Sequence, residues 1–286
     1  MLFARTLALA ALCLAAVAGP SAAGEPGAFR AMSYNIRVDV PSDNPTWAER
    51  RPHMAAQIAF VDPDILGVQE AQPHMVDYLA ERLPEYDRYG VGRDDGRVGE
   101  SATLFWKRDR FEPLRTGTFW CSPTPEVPSK GWDAAYPRTV TRAVLRDRRD
   151  GRLLDVRNTH FDHVGAVARE RCAALVAQIA PVEIDGVRAA VVLMGDFNTG
   201  PGTPPYETIV GAGLTDARGV SPVVFGPAGT FNAFDIARDN DGVAIDHLFI
   251  GPGLAVERFG VLTDSFGGRV ISDHFPLVAD LRPAAP

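Results

Sequence analysis

Acidic, amide and imidazole side chains stand at the end of one apparent strand after another along this chain. Such residues bind hard cations or carry protons, and seven short segments contain them: Ser33-Tyr34-Asn35, Val68-Gln69-Glu70, Gly99-Glu100, Asn158-Thr159-His160, Gly195-Asp196-Phe197-Asn198, Ile245-Asp246-His247 and Ser272-Asp273-His274. Any one segment is a weak signal. Their succession within a single domain predicts that one hard cation and two histidines are assembled around a phosphate ester.

Glu70 and Asn35 are the candidate metal ligands. Glu70 follows a short apolar run that predicts a buried strand, where an acid costs desolvation free energy unless something positive meets it. A divalent cation such as Mg2+ takes one or two carboxylates and keeps several waters. Asn35 ends the preceding predicted strand and could bind the same metal or a phosphate oxygen. Taken singly, Asn35 also fits a turn cap, and Glu70 also fits an exposed surface acid.

The tetrapeptide Gly-Asp-Phe-Asn at 195–198 follows an apolar strand pattern. Gly195 permits a tight turn, and Asp196 and Asn198 then share a face because alternate residues of an extended chain do so. A carboxylate beside an amide suits a water that must lose a proton and a phosphate that must be held. An Asx turn that simply leaves the strand is the alternative.

Two histidines, His160 and His274, also end predicted strands, and each has an acid that could partner it. A carboxylate holds a histidine in one tautomer and stabilises its cation. Phosphate ester hydrolysis needs donors to the non-bridging oxygens and a group that protonates the leaving oxygen. These two histidines would suffice, although structural histidines are the alternative. We place His163 and His247 closer to that alternative, with His163 also a candidate to support His160.

The elements that must position these residues follow from periodicity. Apolar alternation and buried runs predict strands over residues 29–36, 64–69, 102–106, 139–145, 153–159, 189–194, 244–250, 256–262 and 275–281. Helical spacing predicts helices over residues 47–60, 73–83, 164–180 and 204–210. This mixture predicts a four-layer α/β/β/α sandwich of two mixed, mainly antiparallel sheets with helices outside. Catalytic residues then gather at one rim, where strand ends meet loops.

Two predicted loops are longer than a compact domain needs, residues 119–138 and 218–242. Their aromatic residues could line a substrate wall or could merely cover the core. We predict that the first loop selects substrate through Trp132 and Arg138, because the arginine fork suits phosphate oxygens. A surface Arg138 paired with Asp133 or Glu126 is the alternative.

The ends and the composition bound the function. Residues 1–23 are typical of a secretory signal, with an apolar run too short to span a bilayer comfortably. Residues 24–286 show no linker or repeat and suit one domain.

Without residues 1–23, 28 basic residues stand against 36 acidic ones, a net charge of −8. That balance argues against a surface built to coat duplex DNA but does not exclude a nuclease. Cys121 and Cys172 could pair or remain buried thiols.

Six of these motifs, in this order, resemble the endonuclease/exonuclease/phosphatase superfamily of metal-dependent phosphoesterases. They are Met-Ser-Tyr-Asn-Ile, Gln-Glu, Asn-Thr-His-Phe-Asp, Gly-Asp-Phe-Asn, Ile-Asp-His and Ser-Asp-His-Phe-Pro, and the resemblance covers roughly residues 31–281. It implies that Asn35 and Glu70 form the metal site, with Asp273 within reach of the metal. It also implies that Asp196 activates or orients the attacking water, while Asn198 holds the phosphate.

The same resemblance implies roles for the histidines. His274 is similar to the histidine that contacts the phosphate, and Asp246 to the acid that orients it. His160 resembles the histidine of the nuclease and sphingomyelinase branches. Glu100 resembles the acid that supports that histidine, and Asn158 is assigned a supporting role in the same motif.

We therefore expect a periplasmic or secreted phosphoesterase that uses Mg2+, with Mn2+ as the alternative ion. The expected substrate is a phosphodiester or phosphomonoester of a small or lipid-derived molecule. One alternative is an extracellular or periplasmic nuclease, which the tryptophan-bearing loop favours because bases stack on aromatic rings. Another is a catalytically inactive binding domain, which would be expected to lose Glu70, Asp196, His160 or His274; all are present. We expect a monomer without stable membrane insertion.

Overall fold

The computed structural model describes residues 27–238 and 242–285. The predicted secretory segment, residues 1–23, lies outside the described residues, so that part of the sequence analysis stays a prediction. Within the described ranges, no helix has both the length and the apolar character needed to cross a membrane.

The predicted elements appear in the predicted order, together with one long strand, one short helix and several short strands that were not predicted. The helices are α1 (Trp47–Val61), α2 (Pro73–Arg82), α3 (Ala166–Gln178), α4 (Pro204–Gly211) and α5 (Ala217–Val220). The strands are β1 (Phe29–Asn35), β2 (Ile65–Ala71), β3 (Tyr86–Tyr89), β4 (Ser101–Lys107), β5 (Phe111–Trp120), β6 (Thr139–Asp147), β7 (Leu153–His160), β8 (Glu183–Ile184), β9 (Val187–Arg188), β10 (Ala190–Asp196), β11 (Thr215–Asp216), β12 (Val224–Phe225), β13 (Asp246–Ile250), β14 (Leu254–Val261), β15 (Ser265–Phe266), β16 (Arg269–Val270) and β17 (Leu277–Pro283).

Two large sheets form the centre of the domain. One has seven strands in the order β12-β14-β17-β1-β2-β4-β3, and the other has six in the order β11-β13-β10-β7-β6-β5. Both mix parallel and antiparallel pairs, and most pairs are antiparallel. Helices α1 and α2 pack on the first sheet, and α3 and α4 pack on the second. The predicted α/β/β/α sandwich is therefore confirmed.

Strand β10 shows how the sequence produces these layers. Its side chains alternate in direction, so Val192 and Met194 enter the apolar core between the two sheets. Val191 and Leu193 point the other way, into a second apolar cluster beneath α3 and α4. A strand covered on both faces needs an uninterrupted apolar run, which is what the sequence shows at this position.

Strand β5 was not predicted from the sequence pattern. It pairs with β6 from Phe111 opposite Asp147 to Trp120 opposite Thr139, so it takes up the start of the predicted 119–138 loop. Pro113 and a register shift interrupt its alternation. Such irregularities are tolerated here because β5 is an edge strand, where a missing backbone N–H disrupts no inner ladder. The second predicted loop likewise contains most of α5 and all of β12.

A disulfide joins Cys121, just after β5, to Cys172 on α3. Their Cα atoms lie 5.0 Å apart, although 51 residues separate them in the sequence. The bond decides between the two states that the sequence left open, and it ties the 121–138 segment to the outer helical layer.

Strand pairing brings the chemical residues to one edge. Strands β1 and β2 are parallel, with Asn35 opposite Gln69, so their carboxyl ends meet. Strands β7 and β10 are also parallel and place His160 opposite Asp196. On the other side of β10, Asp246 begins the antiparallel β13 and lies opposite Asp196 as well. The two sheets therefore present their polar strand ends at the same rim.

Candidate active site

A cavity of about 500 Å³ opens at this rim. Eight of the residues predicted from sequence line it: Glu70, Glu100, Arg138, His160, Asp196, Asn198, Asp273 and His274. The lining also includes residues that the sequence analysis did not select or placed elsewhere: Arg37, Val38, Arg93, Tyr136, His163, Phe231 and Ile245. A cleft of this volume is typical of sites for small ligands.

The Gly-Asp-Phe-Asn turn sets the floor of the cavity. Gly195 has φ +149°, and a Cβ at this position would lie 2.0 Å from the carbonyl oxygen of Thr159 on β7. Only glycine permits that close approach. Oδ1 of Asp196 accepts the backbone N–H of Asn198 at 2.8 Å, and the Asn198 side chain donates to the carbonyl of Phe161 at 3.0 Å. The Asx turn and the proposed chemistry therefore use the same residues.

Asn35 links the two sheets at the cavity floor. Its Nδ2 donates to Oε1 of Glu70 and to Oδ2 of Asp196, both at 2.9 Å, and its Oδ1 accepts the backbone N–H of Arg37. Glu70 has a left-handed backbone, φ +61°, at an irregularity in the β2–β4 pairing. Its Oε2 also accepts the backbone N–H of Val38 at 2.8 Å. Asn35 therefore spaces two carboxylates, and Glu70 is held in the cavity wall.

Carboxylates crowd the cavity. Burial, followed by the charge of Asp246, raises the pKa of Asp196 to about 7. Burial and the nearby Glu70 carboxylate raise the pKa of Asp273, and the same two causes raise that of Glu100. Negative charge converging on one small space without full compensation is the environment in which a cation is most strongly favoured.

The residues present fit a hard divalent cation. Glu70 is half-buried, lines the cavity and lies in a group with Asp196 and His160 whose candidate ligand atoms are all within 4.8 Å of one another. Asp273 lines the same cavity. Oxygen-rich donor sets of this kind suit Mg2+ and Mn2+. In the described orientation, Asn35 turns its amide nitrogen, not its oxygen, toward the carboxylates.

Two carboxylates next to His274 favour its cationic form, in which both ring nitrogens donate hydrogen bonds. Its Nδ1 donates to Oδ2 of Asp246 at 2.8 Å, and its Nε2 lies 3.8 Å from Oδ2 of Asp196. Thr230 donates its hydroxyl to the same Asp246 oxygen and accepts the backbone N–H of Ile245, which fixes the carboxylate. Burial opposes protonation, but Asp246 and Asp196 outweigh it and raise the pKa of His274 well above its ordinary value.

His160 lies in the opposite environment. Its Nδ1 contacts Nη1 of Arg138 at 2.9 Å, and its Nε2 lies 3.5 Å from Oδ2 of Asp196. Burial, followed by the charges of Arg138 and Arg93, lowers the pKa of His160 well below its ordinary value. The two histidines that the sequence treats alike therefore carry different charges beside the same carboxylate.

Two sequence-based pairings are wrong. Glu100 does not support His160; its carboxylate forms a two-point pair with Arg93, at 2.6 and 2.8 Å, and Arg138 occupies the ring nitrogen of His160 instead. Arg138 is buried and pairs with Asp162 at 3.2 Å, not with either acid offered as its surface partner. One of those acids, Asp133, accepts backbone N–H groups at the start of α3.

Four predicted residues are absent from the cavity lining. Asn35 and Asp246 lie directly behind it, hydrogen-bonded to the lining residues Asp196 and His274 respectively; Asn158 and Trp132 lie farther away. Asn158 is fully buried between the sheets, where its Nδ2 donates to the carbonyls of Val68 and Thr103 and its Oδ1 accepts from Gln69. It supports the site by joining β7 to β2 and β4. Trp132 is 36 % exposed and is not among the residues that line the cavity.

Several contributors escaped the sequence analysis. Arg93 precedes its partner Glu100 by only seven residues, and its guanidinium lies 4.7 Å from the ring centroid of Tyr136. Tyr136 in turn stacks on His163, so the 121–138 segment does reach the cavity. The dense arginine and aromatic content around the motifs was the available signal. His247 is structural, as expected, and is held between Asp216 and a backbone carbonyl.

Comparison with known proteins identifies the family of this chain. The family model described as "Endonuclease/Exonuclease/phosphatase family" matches residues 32–274. A protein of that family from Bacteroides thetaiotaomicron superposes with a TM-score of 0.84 and 36 % identity, covering 90 % of this chain and 95 % of that one. A mannosyl-6-phosphatase from the same species gives a TM-score of 0.83 and 36 % identity, covering 88 % and 99 %.

A more distant relative is protein angel homolog 2 from Mus musculus, 27 % identical over 206 residues. The match covers 63 % of this chain but only 36 % of that relative, so it spans about a third of the curated protein's length. The family match covers most of the chain and contains the motifs, the fold and the cavity together. This chain therefore belongs to the endonuclease/exonuclease/phosphatase family, whose members are hydrolases of phosphoester bonds.

Proposed function

We propose that this protein is an exported, divalent-metal-dependent phosphatase that hydrolyses a phosphomonoester of a small polyhydroxylated molecule such as a sugar phosphate. The observation that carries the proposal is the convergence of Glu70, Asp196, Asn198 and His274 on one small cavity. The cavity contains carboxylates that could bind a cation, a candidate base for the attacking water and a charged hydrogen-bond donor for a phosphoryl oxygen.

Glu70 would hold the ion, with Asp273 on the same wall, and Mg2+ is the proposed ion with Mn2+ as the alternative. A bound divalent cation would neutralise charge on the phosphoryl group. The carboxylates of Asp273 and Glu70 lie near each other, and such an ion would offset the repulsion between them. The carboxylates that Asn35 spaces are fixed before substrate arrives.

Asp196 is suited to orient and deprotonate the attacking water. A pKa of about 7 is near the optimum for a base at neutral pH. His274, kept cationic by Asp246, would donate Nε2–H to a phosphoryl oxygen or to the leaving oxygen. Asn198 is half-buried at the cavity floor beside Asp196, where its amide could contact the phosphate. Asp196, Asn198 and His274 all line the cavity.

The volume of the cavity and the net charge of the protein favour a small substrate over a polymer. The cavity has a volume of about 500 Å³, and the net charge of the whole chain is −7. The relative described as a mannosyl-6-phosphatase, at 36 % identity over nearly its whole length, favours a phosphorylated sugar. A nuclease is the second candidate, and the cationic Arg37, Arg93 and Arg138 in the lining are the observation that favours it.

Export is supported by two observations. Residues 1–23 have the character of a secretory signal. The Cys121–Cys172 disulfide is of the kind that persists in oxidising compartments such as the periplasm or the extracellular space. The expected form is a monomer that does not insert into membranes. The complete set of chemical residues argues against an inactive binding domain.

A substrate screen tests the proposal. The purified protein would be assayed with Mg2+ or Mn2+ against hexose phosphates, inositol phosphates, an aryl phosphodiester, sphingomyelin, DNA and RNA. Phosphate release from a sugar phosphate should exceed the other activities. It should be lost in Glu70→Gln and kept in Glu81→Gln, a matched change on the exposed face of α2. Preferential cleavage of DNA or RNA would overturn the substrate assignment, and full activity of Glu70→Gln in excess chelator would overturn the metal assignment.

A further inference from the structure

Arg138 is a buried arginine whose three guanidinium nitrogens each contact a different side chain. Nε donates to Oδ2 of Asp162 at 3.2 Å, Nη1 lies 2.9 Å from Nδ1 of His160, and Nη2 lies 3.0 Å from Nδ1 of His163. Only 4 % of the residue is exposed. One planar fork therefore touches two histidines of the cavity at the same ring position.

The fork is anchored from behind. Asp162 accepts the backbone N–H groups of Ala135 at 3.0 Å and Tyr136 at 3.3 Å, just before Arg138. Its Oδ1 also accepts the backbone N–H groups of Val164 and Gly165 at the start of α3. Asp162 thus joins two chain segments, and the direction of the guanidinium follows from that rigid corner.

The chemistry of the contacts determines where the histidine protons lie. A guanidinium has five N–H donors and no acceptor. A ring nitrogen that meets it must accept, so Nδ1 of His160 and Nδ1 of His163 are both unprotonated while the contacts persist. Each neutral ring then carries its proton on Nε2. His274 is reversed, because its Nδ1 faces the Asp246 carboxylate and must donate.

We propose that Arg138 is a positioning residue that fixes His160 and His163 as neutral Nε2–H donors at the cavity, so that both bind substrate oxygens. This deepens the proposed phosphatase function and rests on it for the identity of those oxygens. For His160 the donor nitrogen lies 3.5 Å from Oδ2 of Asp196, where the phosphoryl group and its attacking water would meet. For His163 the donor lies across the ring from Arg138, on a residue that lines the cavity.

The neighbouring groups reinforce this arrangement. Burial and the charges of Arg138 and Arg93 both disfavour a second proton on His160, and they lower its pKa. The Tyr136 ring stacks on His163 with centroids 5.9 Å apart and restrains its plane. His160 therefore stabilises charge on an oxygen but does not deliver the proton of the leaving group. That task falls to the cationic His274.

The first test reads the protons directly and needs no substrate. The full chain would be labelled with 15N in its six histidines and studied by NMR near neutral pH. His160→Gln and His163→Gln variants would assign the two signals. We expect unprotonated Nδ1 and protonated Nε2 for His160 and His163, and protonated Nδ1 for His274. A doubly protonated ring or a protonated Nδ1 at His160 or His163 in the wild type would overturn the proposal.

The second test perturbs the fork. Arg138→Met keeps the length of the side chain without donors, and Arg138→Lys keeps the charge without the fork. In both variants, His160 or His163 should no longer be held as the Nε2–H tautomer, while the His274 signal should stay unchanged. The value of kcat should fall about 10–100-fold. If Arg138 instead binds substrate by its charge, Arg138→Lys should restore activity and Arg138→Met should mainly raise KM, with wild-type tautomers in both; that result would refute positioning.

The two proposals fail separately. If the wild type shows the expected tautomers but hydrolyses no phosphoester, the proposed function is wrong and the positioning role of Arg138 stands. If it hydrolyses a sugar phosphate but His160 or His163 carries its proton on Nδ1, the proposed function stands and the role assigned to Arg138 is wrong.

Discussion

Replacing Asp246 with asparagine should remove one charge from the site while keeping its shape. A single oxygen, Oδ2 of Asp246, accepts both from Nδ1 of His274 at 2.8 Å and from the hydroxyl of Thr230 at 2.5 Å. An asparagine oxygen in that place can keep both hydrogen bonds. The variant Asp246→Asn therefore isolates the contribution of the carboxylate charge to His274.

The magnitude follows from the kind of bond involved. A hydrogen bond to a charged partner contributes about 1.5–3 kcal/mol and a neutral one about 0.5–1.5 kcal/mol, so loss of the charge alone should cost about 1–1.5 kcal/mol. Each 1.4 kcal/mol or so is about tenfold in rate. The loss in kcat is thus expected to be about tenfold, at the lower end of the roughly 10–100-fold loss found when an orienting partner of a metal-bound histidine is removed. It should appear mainly in kcat, because the His274 cation would matter most when charge develops on the phosphate.

The pH dependence has a definite sign. The Asp246 carboxylate raises the pKa of His274, so its removal should let the imidazole lose its proton at lower pH. The same charge raises the pKa of Asp196, so Asp196 should also ionise at lower pH in the variant. If Asp196 must be ionised and His274 protonated, both limbs of the kcat profile should move toward acid.

The assay is a double-mutant cycle with pH profiles. Asp246→Asn, His274→Ala and the double variant would be compared on the preferred substrate, and the double variant should be hardly worse than His274→Ala alone. Asp216→Asn is the matched control, because Asp216 partners His247 at 3.1 Å outside the cavity lining and should leave kcat unchanged. Fully multiplicative losses, or an alkaline limb that stays in place, would refute the view that Asp246 acts through His274.

Three further predictions concern stability. Mg2+ at about 100 times its Kd should add about 2.7 kcal/mol to the free energy of unfolding and raise Tm by several degrees; calorimetry should show this shift in the wild type and not in Glu70→Gln, and an equal shift in both would exclude Glu70 as a ligand. Gly195→Ala should cost more than about 3 kcal/mol because its Cβ meets a β7 carbonyl at 2.0 Å, whereas Gly117→Ala, with open space around it, should change chemical denaturation little; similar costs would contradict the steric argument. The Cys121→Ser/Cys172→Ser variant should lose about 4 kcal/mol, as expected for a loop closed across 51 residues, and its Tm should not respond to reductant; an unchanged stability would show that the bond contributes nothing in solution.

Much of the fold was accessible from local patterns. The run through Val191 and Leu193 predicted a strand covered on both faces, and the structure packs it between the second sheet's helices and the intersheet core. Strand β5 was missed because Pro113 and exposed polar residues erase the alternation on an edge strand. Its pairing with β6 is a long-range contact that no local pattern reports.

For the candidate site as well, the sequence predicted local features but not long-range pairings. The sequence by itself determined which chemical groups stand at strand ends, because a turn glycine, an acid and an amide in succession are a local property of the chain. It therefore predicted Glu70, Asp196, His160 and His274 as members of one site. It also predicted the layered fold that would bring those ends to one rim.

Only the tertiary structure decided how those groups pair and what charge each carries. Asn35 meets Asp196 across 161 residues, and Arg138, not Glu100, reaches His160. The same residue type consequently becomes a cation at His274 and a neutral donor at His160. The physical reason is that a pKa depends on burial and on every charge within a few ångströms, and which charges come that close is set by packing between segments distant in the chain.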